Sequence, residues 1–232
     1  MTSRREELAT ALATVESRIG SACVTAGRDR AEVTLVVVTK HFPASDVTIL
    51  RELGVTDVGE NRDQEAAEKF ATLPGRQALT LHFVGQVQTN KAGRVASYAD
   101  VVHSVDRARL VTALDRGADR AARRVRCLVQ VALEDASGRG GVPPAGARAL
   151  ADAVADAPHL DLVGVMAVAP LGADAAAAFA RLAEVAAGIR ADHPDASWVS
   201  AGMSADLEQA VRAGATHLRV GTAILGTRLS LR

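Results

Sequence analysis

Thr34-Leu35-Val36-Val37-Val38-Thr39-Lys40 opens the repeating part of this chain. Its β-branched, apolar side chains predict a buried strand over Thr34–Thr39. A stretch with helical periodicity, Ala44–Leu53, comes next. Pro43 stands where a first helical turn tolerates proline, and Gly54 stands where helices commonly end. The first unit is therefore a strand followed by a helix.

The same unit recurs along the chain, after an initial helix that we expect over Arg4–Ala26. Further strands are predicted at Asp57–Gly59, Thr80–Val84, Val101–Ser104, Arg126–Leu133, Leu160–Ala167, Ser197–Ser200 and His217–Val220. Helices are predicted at Asp63–Thr72, Asn90–Tyr98, Asp106–Arg123, Ala145–Ala155, Ala173–Ala191 and Ala205–Ala213. Strict alternation favours a parallel sheet, and about eight units in 232 residues favour a single closed (β/α)8 TIM barrel. An open doubly wound sheet is the alternative, but no Gly-x-Gly-x-x-Gly follows the first strand.

Composition narrows the class of protein. Hydrophobic residues make up 48% of the chain and aromatic residues only 3%, so the core must consist of Val, Leu, Ile and Ala. The formal net charge of +0 favours neither nucleic acid nor an anionic membrane as a partner. The two cysteines, Cys23 and Cys127, are far apart and suggest a reduced, cytoplasmic compartment. We also expect no signal peptide, no membrane span, and one domain over residues 1–232.

Lys40 is the first candidate functional residue. The chain has 27 Lys+Arg, yet its only lysines are Lys40, Lys69 and Lys91. Arginine cannot replace lysine where a neutral, nucleophilic amine is needed, as in Schiff-base chemistry. The other interpretation is a lysine that extends from the strand end into solvent.

Polar residues and glycines, with one methionine, stand at or just after the ends of the predicted strands. They are Glu60, Asn61, Gly85, Gln86, Ser104, Ser200, Gly202, Met203, Ser204, Arg219, Gly221 and Thr222. In a parallel barrel these ends meet on one face, which carries the active site. The glycine-containing loops 200–206 and 221–223 follow the last two strands, where this fold commonly binds phosphate. Alternatively, the glycines only form turns, and Ser204 or Asp206 is an ordinary helix cap.

Arg219 lies between Leu218 and Val220 in the last predicted strand. Alternation places the two apolar residues toward the helices and Arg219 toward the barrel interior. A buried arginine needs a partner, such as a phosphate, a carboxylate or a ring nitrogen. A structural salt bridge to Glu60 is the alternative.

Five blocks of sequence stand in order and carry a family resemblance. They are Val38-Thr39-Lys40, Gly59-Glu60-Asn61, His82-Phe83-Val84-Gly85-Gln86-Val87-Gln88-Thr89-Asn90-Lys91, Ser200-Ala201-Gly202-Met203-Ser204-Ala205-Asp206, and Arg219-Val220-Gly221-Thr222-Ala223-Ile224-Leu225-Gly226. The chain resembles the pyridoxal phosphate homeostasis protein family over nearly its whole length. The resemblance implies a barrel like the N-terminal domain of alanine racemase, of the type III class of pyridoxal 5′-phosphate (PLP) proteins, without the second β-rich domain of that enzyme.

The resemblance also implies a site. PLP would be bound to Lys40 as a Schiff base, and Arg219 would hydrogen-bond the pyridine nitrogen. The phosphate group would lie on Ser200, Gly202, Met203, Gly221 and Thr222, with Asn61 near the ring. One departure is Arg139-Gly140-Gly141, which stands where a Lys-x-Gly is common in the family. No metal is implied, and no histidine pair has metal-binding spacing.

The expected function is PLP binding for vitamin B6 homeostasis and delivery, without turnover. An arginine at the pyridine nitrogen weakens the PLP ring as an electron sink. Racemisation also needs a second base. The chain has one tyrosine that could be considered for that role, Tyr98. Expected partners are PLP, small amines or amino acids, and PLP-dependent apo-enzymes, with the chain a cytoplasmic monomer. The alternatives are a small PLP-dependent amino-acid racemase that uses a different second base, an aldolase-like enzyme in which Lys40 attacks a sugar-phosphate carbonyl, and a purely structural Lys40.

Overall fold

The computed structural model describes residues 3–133, 140–170 and 172–227. Its strands are β1 (Thr34–Val38), β2 (Asp57–Glu60), β3 (Thr80–Phe83), β4 (Val101–Val105), β5 (Val125–Gln130), β6 (Leu160–Met166), β7 (Trp198–Ser200) and β8 (His217–Val220). Its α-helices are α1 (Arg4–Ala26), α2 (Ala44–Glu52), α3 (Asp63–Ala71), α4 (Ala92–Tyr98), α5 (Ala108–Arg120), α6 (Ala147–Ala155), α7 (Ala175–Asp192), α8 (Leu207–Arg212) and α9 (Thr222–Leu225).

The strands form a closed barrel in sequence order, β1 to β8. Every neighbouring pair is parallel, and β8 closes the barrel by pairing with β1, with Val36 opposite Arg219. The prediction of a (β/α)8 barrel is therefore confirmed. Because all strands run the same way, their carboxyl ends lie together at one mouth of the barrel.

Most predicted boundaries agree with the structure to within three residues, and the differences have local causes. β5 ends at Gln130, not at Leu133, and Val131 instead forms an isolated parallel bridge with Val142. α5 begins at Ala108 because Arg107 has an extended backbone. Arg139, the departure from the family pattern, lies outside the described residues.

The core occupies two layers. The larger cluster fills the space between strands and helices and includes Leu8, Leu50, Leu114 and Leu182, all fully buried. A small cluster of Val101, Leu128 and Met166 is separate from it. Among the helices that the structure describes, none combines the length and hydrophobicity needed to cross a bilayer.

Candidate functional site

Lys40 lies in the turn immediately after β1. Val36 and Val37 of that strand are fully buried, while Lys40 itself is exposed at the mouth of the barrel. Thr39 is fully buried, and its backbone N–H donates to the carbonyl of Gly59 on β2, 2.8 Å away. The amine therefore projects from a backbone position that the neighbouring strand fixes.

A second lysine, Lys69 on α3, supports this turn. Its Nζ donates to the carbonyl of Thr39 at 2.9 Å, to Oε1 of Glu60 at 2.6 Å and to Oε1 of Glu65 at 3.2 Å. Glu65 in turn accepts the backbone N–H of His41 at 2.5 Å. Lys69 thus holds the backbone on both sides of Lys40. The sequence interpretation missed this residue, although its rarity and its position four residues after Glu65 were signals.

Glu60 and Asn61 end β2 beside that turn. Glu60 is fully buried; burial raises the pKa of its carboxyl group, while Lys69 and Thr39 act in the opposite direction. Glu60 pairs with Lys69, so the alternative of a Glu60–Arg219 salt bridge is wrong. Asn61 Oδ1 is buried and has no hydrogen-bond partner among the described residues. Such an orphaned amide is expected where a ligand completes the bonding.

Arg219 lies inside the barrel, as the alternation predicted. Its side chain donates to Ser200 Oγ at 2.5 Å and to the carbonyl of Ala167 at 2.9 Å. Burial lowers the pKa of the guanidinium to about 10, and the charge of Asp206 acts in the opposite direction. Arg219 therefore remains a cation at neutral pH, and two of its nitrogens are held by β7 and the segment after β6.

The loop after β7 approaches its surroundings closely at Gly202. Gly202 has φ of +88°, and a Cβ there would lie 2.5 Å from Ala210 Cβ. Its carbonyl accepts the backbone N–H of Arg219 at 2.9 Å. Met203 is exposed, and its backbone N–H donates to Asp206 Oδ1 at 2.6 Å. Only glycine can occupy the first of these positions without strain.

The loop after β8 meets both the preceding loop and β1. A Cβ on Gly221 would lie 3.0 Å from the carbonyl oxygen of Val38. The exposed residue Thr222 begins the short helix α9, and the N–H of Ala223 donates to Ser204 Oγ at 3.4 Å. The two glycine loops therefore lie against each other and against the end of β1, the strand that precedes Lys40.

Ser200 differs from the other predicted phosphate residues. It is the last residue of β7 and fully buried, and its hydroxyl lies between Arg219 and Nδ1 of His103, which is 2.9 Å away. That hydroxyl is directed into the barrel and already has two partners. The structure thus brings the predicted set to one mouth, with Ser200 attached to it through Arg219.

The residues at this mouth fit PLP. A primary amine is present for the aldehyde, a buried guanidinium for the ring nitrogen, and an unpartnered amide beside the turn. Gly202 and Gly221 stand in the loops after β7 and β8, the position where this fold commonly binds phosphate. Among the described residues, no group of three or more His, Cys, Asp or Glu side chains is placed to hold a metal ion.

Comparison with known proteins agrees with this fit. Residues 21–229 match the family model of the alanine racemase N-terminal domain. The pyridoxal phosphate homeostasis protein of Mycobacterium tuberculosis is 44% identical over 97% of this chain and 94% of its own length. The protein of the same name from Escherichia coli is 36% identical over 96% of this chain and 97% of its own length.

Solved structures give the same result. PipY of Synechococcus elongatus with PLP bound superposes with a TM-score of 0.83 at 34% identity, over 94% of this chain and all of its own. Alanine racemase of Corynebacterium glutamicum, at 15% identity and a TM-score of 0.68 over 98% of this chain and 62% of its own, shows a shared barrel fold alone. By sequence and by fold, this chain belongs to the alanine racemase N-terminal domain family and, within it, to the pyridoxal phosphate homeostasis proteins.

Proposed function

We propose that this protein binds PLP on Lys40 as a Schiff base and serves in PLP homeostasis and delivery without turnover. The observation that carries the proposal is the meeting of Lys40, the buried Arg219 and two glycine loops at one mouth of a single barrel. The curated relatives bear the name pyridoxal phosphate homeostasis protein, and the solved structure of PipY has PLP bound.

The chemistry that PLP supplies is a reactive aldehyde, which condenses with an amine to form a C=N bond and release one water. In the proposal, Arg219 donates to the pyridine nitrogen and Asn61 turns its amide toward the ring. Gly202, Met203, Gly221 and Thr222 offer backbone to the phosphate group. Ser200 acts through Arg219, because its hydroxyl is already bonded to that residue and to His103.

Tyr98 is not suited to be the second base of an amino-acid racemase, so that alternative requires a different base. Racemisation requires a second base on the opposite face of the substrate. Tyr98, the only tyrosine, lies on α4, and its hydroxyl contacts Asp63 Oδ1 at 3.2 Å. Burial, followed by the Asp63 charge, raises the pKa of the phenol well above its usual range, so at neutral pH it stays protonated and cannot accept a proton.

The proposal extends to the partners and organisation of the chain. Residues 1–232 act as one PLP-binding domain and as a monomer. Small amines and amino acids compete with Lys40 for the aldehyde, and PLP-dependent apo-enzymes receive the released cofactor. An exposed Lys40 suits such exchange, because an incoming amine can reach it from solvent.

The decisive experiment reduces the PLP-loaded protein with borohydride and maps the pyridoxyl group by mass spectrometry. Only three lysines are present, so each can be assigned without ambiguity. We expect the label on Lys40, a visible absorbance band in wild type, and loss of both in Lys40→Ala. Lys91→Ala is the matched control, because its side chain is 42% exposed and lies near Asp63, and it should retain both.

Three outcomes would contradict the proposal. A colourless protein that takes up no added PLP, but is trapped by borohydride together with a sugar phosphate, would favour the aldolase-like alternative. Fast racemisation of an amino acid by the loaded protein would favour the racemase. Unchanged PLP binding in Lys40→Ala would leave Lys40 a structural residue.

A further inference from the structure

A series of buried and part-buried hydrogen bonds crosses the barrel behind Arg219. From Asp57 Oδ1 it passes to His82 Nε2 at 2.9 Å, and from His82 Nδ1 to His103 Nε2 at 2.8 Å. From His103 Nδ1 it passes to Ser200 Oγ at 2.9 Å. Ser200 Oγ also accepts a hydrogen bond from Arg219 at 2.5 Å. His103 on β4 and Ser200 on β7 belong to strands that are not neighbours, so this contact crosses the barrel interior.

The charged residues at the two ends, Asp57 and Arg219, determine which atom donates in each of these hydrogen bonds. Burial alone would raise the pKa of Asp57, but hydrogen bonds from His82 and Thr56 outweigh it and keep the pKa lowered. Asp57 is therefore an anion at neutral pH and can only accept a hydrogen bond. Burial lowers the pKa of His82 and, more strongly, that of His103, so both rings are neutral with one donor and one acceptor nitrogen.

A single tautomer pattern satisfies these constraints. His82 must donate from Nε2 to Asp57, so its Nδ1 accepts from His103 Nε2. His103 Nδ1 then accepts the hydroxyl proton of Ser200, whose oxygen accepts from Arg219. In the reverse direction, an unprotonated nitrogen of His82 would face the Asp57 carboxylate, with no proton between two acceptors.

We propose that Asp57, His82, His103 and Ser200 form a directional relay that positions the Arg219 guanidinium and links it to an anion at the opposite end of the barrel. Asp57 is the first residue of β2, and Ser200 is the last residue of β7. Within the described part of the chain, Arg219 has no carboxylate in salt-bridge contact, although it is a buried cation. The relay supplies what such a cation requires, namely fully bonded neighbours and a distant counter-charge.

The relay deepens the proposed function and rests on it in one respect, the placement of the PLP ring against Arg219. The first arm of the test needs no cofactor. Nitrogen-15 NMR of the histidines in the PLP-free protein should show His82 and His103 as neutral Nε2–H tautomers at pH 7. Nδ1–H or doubly protonated rings at either residue would overturn the directional relay.

The second arm uses the loaded protein and compares His103→Phe with Asp57→Asn, which preserves shape and removes the charge. Both should displace the absorbance band of bound PLP and weaken PLP binding about tenfold, since a charged hydrogen-bond network is broken. His217→Phe is the matched control. His217 is also a buried histidine and lies on the same strand as Arg219, but it bonds Thr216, outside the relay.

The outcomes separate the two proposals. If wild type binds PLP while His103→Phe and Asp57→Asn keep its band and affinity, the positioning role of the relay is wrong. If wild type binds no PLP, the proposed function fails, and the NMR arm alone decides the relay. Thermal melting of each variant identifies loss of fold, and the isosteric Asp57→Asn keeps the test open if His103→Phe does not fold.

Discussion

At the residue scale, Lys69 is a buried cation with a defined task. Its side chain is 6% exposed, and its partner Glu60 is not exposed at all. A compact ammonium with three donors can bond the carbonyl of Thr39 and two carboxylates at once, which a planar guanidinium does less well. This explains why a chain so rich in arginine has lysine here.

Lys69→Met leaves Glu60 buried without its cation. We expect a loss of about 3–5 kcal/mol in the free energy of unfolding, because an unpaired buried charge is costly. Denaturant unfolding measures it, and the double variant Lys69→Met/Glu60→Gln should recover much of the loss. Arg5→Met is the control, since its ion pair with Glu52 is about half exposed on both sides and should cost less than about 1 kcal/mol. Equal losses in the two single variants would contradict this assignment.

Also at the residue scale, the sequence predicted where Arg219 points but not what it contacts. Strand alternation alone places it inside the barrel. Its contact with Ser200 depends on the neighbouring strand, and that of Ser200 with His103 joins residues 97 positions apart. No local pattern encodes such a separation, so the sequence does not predict the partners of the Ser200 hydroxyl.

At the scale of elements, the β7 loop depends on Gly202. Gly202 and Gly214 have nearly the same φ, +88° and +89°, but a Cβ meets Ala210 only at Gly202 and open space at Gly214. Gly214→Ala should therefore cost only the backbone strain of about 1–2 kcal/mol. Gly202→Ala should cost a further ~1–3 kcal/mol from crowding and weaken PLP binding. Unfolding and PLP titration of both variants test this pair, and equal effects on PLP would remove Gly202 from the site.

The close contact between α4 and α5 leads to a second prediction at this scale. A Cβ on Gly117 would lie 2.6 Å from the Cα of Gly93, whereas a Cβ on Gly188 in α7 meets nothing within 4 Å. Gly117→Ala should destabilise the protein by about 1–3 kcal/mol through overpacking. Gly188→Ala should stabilise it by about 0.5–1 kcal/mol through helix propensity. Melting temperatures that shift in the same direction for both variants would contradict the close packing.

At the scale of the whole molecule, the buried histidines make stability depend on pH. Burial lowers the pKa of His217 to about 3 and also lowers those of His82 and His103, against 6.5 for an ordinary histidine. Below about pH 6.5 the unfolded chain therefore binds protons that the folded protein does not. Folding stability is complete above that pH and falls as the pH decreases toward 3. Burial raises the pKa of Glu60. Between the pKa values of Glu60 in the unfolded and folded states, its protonation therefore stabilises the fold as the pH decreases and opposes this trend.

We expect the free energy of unfolding to fall by up to about 4 kcal/mol per pH unit below pH 6, since each of three groups contributes about 1.4. Denaturant unfolding between pH 7.5 and pH 5 measures the slope. His217→Phe removes one of the three groups and should reduce the slope by about 1.4 kcal/mol per pH unit. A slope that is flat from pH 7.5 to pH 5 in wild type would mean that the histidines are not buried as neutral rings.

The sequence by itself determined the barrel and most of its mouth. Alternating β-branched and helical stretches can bury their apolar faces in few ways, and the parallel order then brings Lys40, Asn61, Gly202 and Gly221 to one end. Local periodicity and turn chemistry carry this information, so it can be read from neighbouring residues.

Only the tertiary structure decided which buried polar groups are partners. Lys69 beneath Lys40, Glu60 with Lys69 and not Arg219, and the relay from Asp57 to Ser200 each join side chains from different strands or helices. Such pairings depend on strand register and on the width of the closed barrel, to angstrom precision. A hydrogen bond exists only within that distance range, and sequence spacing does not specify it.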